Sequence, residues 1–515
     1  MNILDWIQVG KVSAERDDLL ENYFFDNGLL KTVIDSPSSF LVLGRKGAGK
    51  TAVFRYLCDK RQNFISNDDL LIPLSFDDYN WNIHTLLVDV YRAESLAYKQ
   101  SWRFVILTEC LRAFNDYCNK NKRKLPAQIN NSVKLLEKLF DSPIPTISQL
   151  VSEKLLSLSN FKFPKGNLDF DNGDIDNINL DGGNITFEQV HQDKVLQRHL
   201  SENIHNILLI LERSVLSSLS ELPRIFICFD RVDESWDRVS FNSSKLVIAG
   251  LVSAGDSITG KYRGRIRPII FLREDIFDVL SLNDANKLRE DCGALLSWNR
   301  STLTSMLLHR INFFANQSGI EQIDNIDTLF DKAEMRQRTK PLNYLLKRTM
   351  MRPRDLISLF ARLIQTMKEE YENSFLEQLD NVPGKLSSSA IYSAEPGYSE
   401  WLVKEVIDEW NVQKPEIEYL FNALRNNSTT NFNRIDLANE LQKLEFNIYH
   451  LGDIDKYLKF LFDNSIIGFK LGDSTEWKFK CSYPSQGFLH SEEYRVHEGL
   501  VRALNLRENR DRERS

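Results

Sequence analysis

Residues 40–57 read FLVLGRKGAGKTAVFRYL, in which a glycine-rich loop separates two apolar patterns. The run from Phe40 to Leu43 is short and apolar, which predicts a buried strand. The run from Thr51 to Leu57 contains neither proline nor glycine, which predicts a helix. Strand, glycine loop and helix in this order are the context in which Gly-x-x-x-x-Gly-Lys-Thr binds phosphate. The alternative is a glycine turn that only joins a strand to a helix.

The residue types of this loop suit a bound triphosphate. Its three glycines allow backbone conformations in which successive N–H groups converge on one anion at the start of a helix. Lys50 supplies a mobile positive charge for the β and γ phosphates, and the Thr51 hydroxyl can ligate Mg²⁺. We therefore predict ATP and Mg²⁺ as cofactors. The predicted nucleotide-binding residues are Gly44, Arg45, Lys46, Gly47, Ala48, Gly49, Lys50, Thr51 and Ala52.

A magnesium site of this kind also needs an acidic side chain at the end of a neighbouring strand. Asp230 meets this requirement because it ends the apolar run RIFICFD, residues 224–230. We predict that Thr51 and Asp230 hold the metal ion. The alternative is a buried strand that ends in an ordinary helix-capping aspartate.

The acid that activates water is not marked by position. Many P-loop ATPases carry a second acid directly after the magnesium aspartate, whereas this chain has Arg231 there. Asp233 and Glu234 follow within one turn, and either could polarise the attacking water, with Glu234 preferred. This arrangement predicts hydrolysis that is slow or that depends on assembly.

Arg273 ends a further apolar run, residues 266–272. Ligands of parallel α/β sheets collect at the carboxyl ends of strands, so an arginine there could read the γ-phosphate. Pairing with Glu274 or Asp275 is the alternative interpretation.

A second pair of arginines, Arg352 and Arg354, begins a predicted helix. An arginine on a helical lid can couple a bound phosphate to the position of the lid. We prefer Arg354 for this role because Pro353 presets the turn before it. The alternative is an ion pair with Asp355 at the helix start.

The composition is that of an ordinary globular protein of 515 residues, with 42% hydrophobic and 27% charged residues. The net charge of −7 does not indicate general binding to polyanions. Six scattered cysteines without a Cys-x-x-Cys pair predict reduced thiols and argue against a zinc site. Without a long apolar run or a signal peptide, we predict a cytoplasmic protein with no membrane partner.

Alternating strand and helix patterns predict an α/β fold: a P-loop NTPase parallel-sheet core with a helical and β insertion, a helical lid and a C-terminal winged-helix domain. Strands are expected at 40–43, 70–76, 224–229 and 266–272, and a linker at 381–389. The expected domains are an N-terminal helical segment at 1–35, the ATPase core at 36–300 with its insertion at about 83–200, the lid at 301–380, the winged helix at 395–506, and a disordered tail at 507–515.

Residues 161–187 differ from their surroundings because two turn signals separate alternating apolar positions. The turns are Asn172-Gly173 and Gly182-Gly183, and the pattern predicts a β-hairpin or meander. The aspartates of this segment lack the spacing of a calcium loop, so a solvated strand face is the favoured interpretation.

The segment at 395–506 shows helices near 401–411, 415–425, 434–443 and 453–463, followed by two strands joined by a turn at Gly472. This is the pattern of a winged helix, a module that often enters the major groove of DNA. Between residues 429 and 506, however, nine basic residues face eleven acidic ones. Asp453 and Asp455 open the expected recognition helix and would repel phosphates. Nucleic acid is therefore a partner that the charge does not favour.

The order of P-loop core, helical lid and winged helix resembles the STAND and Orc/Cdc6-like branch of AAA+ nucleoside triphosphatases. The residues that carry the resemblance are the loop from Gly44 to Thr51, Asp230, Arg273 and the Pro353-Arg354 step. Nearly the whole chain is also similar to a poorly characterised family of bacterial P-loop ATPases. The motifs for that similarity are GRKGAGKTA, FDRVDESW, FLREDIF, RPRDLI, AEPGYSEW and YRVHEGLVRAL.

Members of that branch act as nucleotide-gated, self-assembling switches, many of them in bacterial defence against phage. The resemblance implies that ATP binds between core and lid and that closure promotes self-association. It also implies a separate effector or sensor chain, because no nuclease, TIR, protease or membrane-pore segment is recognisable. The alternative function is an ATP-dependent DNA-binding initiator or transposition regulator that uses its winged helix. Arg231 departs from the STAND pattern.

Overall fold

The computed structural model describes residues 2–76, 84, 98–140, 156, 158–160, 187–235, 241–376, 382–444, 451–472, 474 and 476–508. Within these residues the strands are β1 (Leu41–Gly44), β2 (Leu70–Ser75), β3 (Ile225–Asp230), β4 (Ile266–Arg273), β5 (Gly293–Leu295), β6 (Asn431–Phe432), β7 (Ile467–Lys470), β8 (Trp477–Phe479) and β9 (Tyr494–Val496). The α-helices are α1 (Leu20–Tyr23), α2 (Leu29–Asp35), α3 (Lys50–Asp59), α4 (Lys99–Lys120), α5 (Ala127–Phe140), α6 (Phe187–Gln192), α7 (Lys194–Ser217), α8 (Phe241–Lys261), α9 (Glu274–Val279), α10 (Ala285–Cys292), α11 (Arg300–Gln317), α12 (Pro341–Lys347), α13 (Pro353–Leu376), α14 (Ser388–Trp410), α15 (Ile417–Asn426), α16 (Arg434–Lys443) and α17 (Leu451–Asp463).

The chain divides into two compact units. The sheet unit consists of Asp26–Arg45 and Lys50–Leu296, and the helical unit consists of Met1–Phe25, Lys46–Gly49 and Ser297–Ser515. Four residues of the glycine loop thus belong to the helical unit, while the residues on either side of them belong to the sheet unit. Among the described residues, no helix is both long and apolar enough to cross a bilayer.

The sheet unit is built on a parallel five-stranded sheet with the order β2-β3-β4-β1-β5. Every residue of β3 and β4 is buried, as expected for parallel strands covered on both faces. The mixed α/β fold with a parallel sheet is therefore confirmed, and each predicted strand lies within one or two residues of its observed bounds. The register sets Gly44 beside Arg273 and Ser75 beside Asp230. The site residues therefore lie at the carboxyl-terminal ends of the parallel strands.

Helices α3 and α8 pack on the sheet, and α4, α5 and α7 pack on one another. Helix α7 begins where the carboxylate of Asp193 accepts hydrogen bonds from two backbone N–H groups, which caps the helix. The predicted meander at 161–187 lies outside the described residues, with one exception. Phe187 begins helix α6 and is not in a strand.

The helical unit has one hydrophobic core that runs through all of its parts. Buried residues of that core come from the N-terminal segment, the helices predicted as a lid and the segment predicted as a winged helix; examples are Ile7, Leu307, Phe360, Tyr398 and Phe469. The lid and the winged helix therefore pack as parts of one compact unit.

The linker predicted through Ser389 ends earlier than expected. Ser387 caps helix α14 by accepting a hydrogen bond from the backbone N–H of Ala390, so the helix begins at Ser388 and not near residue 401. Serine favours both loops and helix N-caps, which explains the misplaced boundary. The helix also continues through Pro396, although proline cannot donate the backbone hydrogen bond at that position.

The end of the helical unit forms a small antiparallel sheet with the order β6-β9-β7-β8. Strands β7 and β8 make the predicted hairpin, with Lys470 opposite Trp477. Arg507 was predicted to begin a disordered tail, but its backbone exchanges hydrogen bonds with Ser428 and Thr430. Residues 509–515 lie outside the described residues.

Candidate nucleotide-binding site

The glycine loop has the backbone that its sequence predicts. Gly47 and Gly49 adopt φ angles of 79° and 99°, in the left-handed region that residues with a side chain rarely enter. A Cβ atom added at Gly47 would also lie 3.2 Å from the Cβ of Arg354. The positive φ therefore favours glycine at position 47, and the space beside it is tight for a side chain.

Lys50, the first residue of α3, turns its side chain back over the loop. Its ammonium group donates hydrogen bonds to the carbonyl oxygens of Gly44, at 2.9 Å, and Arg45, at 3.2 Å. Burial lowers the pKa of Lys50, and the charge of Asp233 opposes that shift. The arrangement holds a desolvated positive charge at the end of β1, where an anion would interact with it strongly.

The two predicted magnesium ligands are in direct contact. The Thr51 hydroxyl donates a hydrogen bond to the carboxylate of Asp230, which is buried at the end of β3. Burial raises the pKa of Asp230 to about 6, against hydrogen bonds from Thr51 and the Arg231 backbone, and the charge of Asp233 adds to the increase while Lys50 opposes it. Arg231 itself adopts a φ of 60°, an uncommon conformation of the kind that clusters at functional sites.

These oxygen atoms fit the metal that the sequence predicts. Mg²⁺ prefers oxygen ligands and is commonly held by one or two protein groups together with phosphate oxygens and water. Thr51 and Asp230 offer a hydroxyl and a carboxylate side by side, next to the ammonium group of Lys50. The assignment of both residues as metal ligands remains a prediction.

Arg273 at the end of β4 is bound to carboxylates. The guanidinium group of Arg273 donates two hydrogen bonds to the carboxylate of Asp275, at 2.7 and 3.1 Å. A carboxylate oxygen of Asp233 lies 3.7 Å from the same guanidinium group. Of the two alternatives for Arg273, the structure contains the pair with Asp275, and a phosphate would have to compete with it. Asp233 is half-buried beside this arginine.

Glu234, the preferred water-activating acid, lies in a short 3-10 helix, Val232–Ser235. Its side chain falls outside the described residues. The structure thus places Asp233 near the candidate site and leaves the choice between Asp233 and Glu234 a prediction.

The two arginines at the start of α13 have different environments within the helical unit. Arg352 is buried, and its guanidinium group binds Asp355 at 3.1 Å, Glu409 at 2.9 Å and the carbonyl oxygen of Lys46 at 3.2 Å. Arg354 is partly exposed and pairs with Glu405 at 3.0 Å. The ion pair with Asp355 that was considered for Arg354 is therefore made by Arg352.

Two residues that contact the loop, and one that binds Arg352 next to it, were not identified from the sequence. Glu405 lies 3.7 Å from Lys46, Glu409 holds Arg352, and the indole of Trp298 donates a hydrogen bond to the carbonyl oxygen of Ala48 at 2.8 Å. None of them is part of a motif quoted for the sequence. No local pattern could have singled them out.

Comparison with known proteins gives similarities of three kinds: to a family model, to a curated protein and to solved structures. The family model described as the FunZ-associated C-terminal helical domain matches residues 301–407. The "Putative transposon gamma-delta 80.3 kDa protein" of Escherichia coli (strain K12) is 24% identical over 528 residues, which cover 97% of this chain and 67% of that protein. The crystal structure of Cdc6p from Pyrobaculum aerophilum aligns at 11% identity with a TM-score of 0.29, covering 96% of this chain and 94% of that one.

Proposed function

We propose that this chain is a Mg²⁺-dependent, ATP-binding and ATP-hydrolysing regulatory switch that assembles with itself or with a separate effector chain. The observation that carries the proposal is geometric: Lys50 folds back over the loop at the end of β1, and the sheet register brings Asp230 at the end of β3 to the same end of the sheet. These residues come from segments far apart in sequence and meet at one edge of a parallel sheet. A bacterial anti-phage setting is part of the proposal through the family resemblance alone.

Each residue has a defined task in this proposal. Loop N–H groups and Lys50 would bind the phosphates, and Thr51 and Asp230 would hold Mg²⁺, whose charge would offset the negative charge of the phosphoryl group. Arg273 senses the terminal phosphate by exchanging its bond with Asp275 for one with a phosphate oxygen. Release of Asp275 and Asp233 from the arginine would then free a carboxylate to orient water. Arg354 would respond to the phosphate in the same way by leaving Glu405.

The switch is tested by measuring mass in solution with and without nucleotide. Multi-angle light scattering of the purified protein should show a larger assembly with Mg·ATP than with Mg·ADP, and Asp230→Asn should remain at the smaller mass. The matched control is Asp256→Asn, which removes a carboxylate from helix α8 of the same unit. An unchanged mass at saturating ATP would reject assembly as the output, whereas measured ATP binding would still support the site.

We also expect metal-dependent ATP affinity to fall as the pH is lowered through 6. Since burial raises the pKa of Asp230 to about 6, protons compete with Mg²⁺ for its carboxylate below that pH. From about pH 7 to about pH 5, the Mg²⁺-dependent part of the affinity should drop about tenfold, as one proton per site requires. Isothermal titration at several pH values measures this.

Asp230→Asn is the control for the pH experiment because ATP phosphates titrate in the same range. The variant should bind Mg·ATP weakly at every pH and show only the pH dependence that belongs to the nucleotide. A wild-type profile parallel to that of the variant would contradict a metal-binding role for Asp230.

A second candidate is an ATP-dependent DNA-binding protein of the transposition-regulator kind. The name of the Escherichia coli relative favours it, and so does one feature of the predicted winged helix. Asp455, which was expected to repel phosphates, forms a bidentate pair with Arg434 at 2.7 and 2.8 Å. A duplex-DNA affinity that falls steeply with salt and requires ATP would support this candidate over the first.

A further inference from the structure

The helical unit contains an open cleft of about 1380 Å³. Its walls are the start of α11, the end of α12, and strands β8 and β9 with the turn after β8. Pockets for small molecules typically measure roughly 300–1,000 Å³. The cleft is therefore large enough for an extended ligand such as a polymer segment.

One face of the small sheet presents aromatic rings to the cleft. Trp477 and Phe479 are two residues apart on β8, so their side chains lie on the same face, and both line the cleft. Arg495 on β9 also lines it, with its guanidinium carbon 5.5 Å from the centre of the Trp477 ring. The indole nitrogen of Trp477 is buried and has no acceptor among the described residues.

Cationic side chains also line the wall of the cleft. Arg300 at the start of α11 and Lys347 at the end of α12 are both exposed, and no described carboxylate lies within ion-pair distance of either. The guanidinium group of Arg336 lies 4.3 Å from the centre of the Tyr392 ring, an arrangement that leaves its charge uncompensated by an acid.

The acidic residues of the cleft are mostly neutralised. Glu476 accepts a hydrogen bond from Lys478, and Glu498 lies 3.5 Å from Arg348, which leaves Glu508 as the acid without a described cationic partner. Burial, with the charges of Arg348 and Arg352, lowers the pKa of His497 to about 3, so this imidazole is neutral. The cleft therefore carries net positive charge beside two half-buried aromatic side chains, Trp477 and Phe479.

We propose that this cleft binds single-stranded nucleic acid. Unpaired bases can stack on an aromatic ring such as that of Trp477, and phosphates can contact Arg300 and Lys347. Proteins bind single-stranded nucleic acid without sequence preference in this way. Duplex DNA keeps its bases stacked inside the helix and cannot offer their faces. An acidic peptide would satisfy the cations but would leave the aromatic face without a matching flat partner. The proposal does not depend on ATP binding.

The test measures fluorescence anisotropy of labelled oligothymidylate and oligouridylate, each about 12 nucleotides long, within the usual site size. It is done without nucleotide, so its result is separate from that of the ATP site. The double variant Arg300→Gln/Lys347→Gln should bind at least about tenfold more weakly than wild type. The slope of log affinity against log salt should fall by about 1.4, at about 0.7 per lost phosphate contact.

Lys385→Gln/Lys404→Gln is the matched control, since it removes two exposed lysine charges of the helical unit that do not line the cleft. Trp477→Ala should weaken binding about tenfold or more, and Trp477→Phe should restore most of it because a ring remains available for stacking. Binding of either oligonucleotide with this pattern supports the proposal, and the ratio of the two affinities shows whether DNA or RNA is preferred. Absence of binding, equal loss in the control, or preferential binding of oligoglutamate would overturn it.

Discussion

Replacing Lys50 with alanine is expected to weaken ATP binding about a hundredfold or more. The Lys50 ammonium group is half-buried and hydrogen-bonded to two loop carbonyls, and in the nucleotide complex its charge would face the β and γ phosphates. Charge-assisted hydrogen bonds contribute about 1.5–3 kcal/mol each. Losing one bond to the β phosphate and one to the γ phosphate therefore lowers the ATP affinity by at least about two powers of ten. Isothermal titration or a fluorescent ATP analogue measures the change.

Lys31→Ala is the matched control for this experiment because Lys31 is an exposed lysine of α2 in the same unit. It should bind ATP like the wild type. Circular dichroism and thermal melting should show that Lys50→Ala remains folded, since the substitution shortens one half-buried side chain. ATP affinity equal to that of the wild type would refute the nucleotide site.

Replacing Arg352 with alanine is expected to destabilise the helical unit by about 3–5 kcal/mol. Burial opposes the charge of Arg352, but Asp355 and Glu409 hold its pKa above the ordinary value. Removal of the guanidinium group would leave both carboxylates buried without a cation, which is the costly way to break a buried ion pair. The loss should affect Asp355 most, because its second carboxylate oxygen is buried without a described hydrogen-bond partner.

Arg354→Ala is the control, because the two arginines are two residues apart and differ in burial. Arg354 is partly exposed with a single carboxylate partner, so its loss should cost no more than about 1 kcal/mol. Hydrogen exchange of the amides in α13 is the appropriate measurement, since a chain with two compact units need not unfold in one step. Equal protection in the two variants would show that the buried cluster contributes no more than the surface pair.

The same two variants separate stability from nucleotide response. If Arg354 senses the terminal phosphate, Arg354→Ala should lose the difference in assembly between ATP and ADP while keeping its α13 protection. If Arg352 has that role, the difference should disappear in an Arg352→Lys variant that retains the charge. The sequence favoured Arg354 through Pro353, and the contact of Arg352 with the Lys46 carbonyl makes this comparison necessary.

Residues close together in the chain were sufficient to predict the local elements of the site. The strand and loop at β1, the helix after them, and the strands that end at Asp230 and Arg273 all follow from short apolar runs and from glycine at positions of positive φ. These signals are local because a strand or turn depends on the conformations open to a few consecutive residues. The boundary between the predicted linker and α14 was wrong for the same reason, since serine suits both a linker and a helix cap.

Only the tertiary structure shows which charges meet. The hydrogen bond from Thr51 to Asp230, the capture of Arg273 by Asp275, and the choice of Arg352 as the buried partner of Glu409 depend on where separate segments pack. Trp298 reaches Ala48 across 250 residues of sequence, and the cleft beside Trp477 is assembled from four distant elements. An arginine selects its carboxylate by distance and burial, and both are properties of the folded chain that no neighbouring residue encodes.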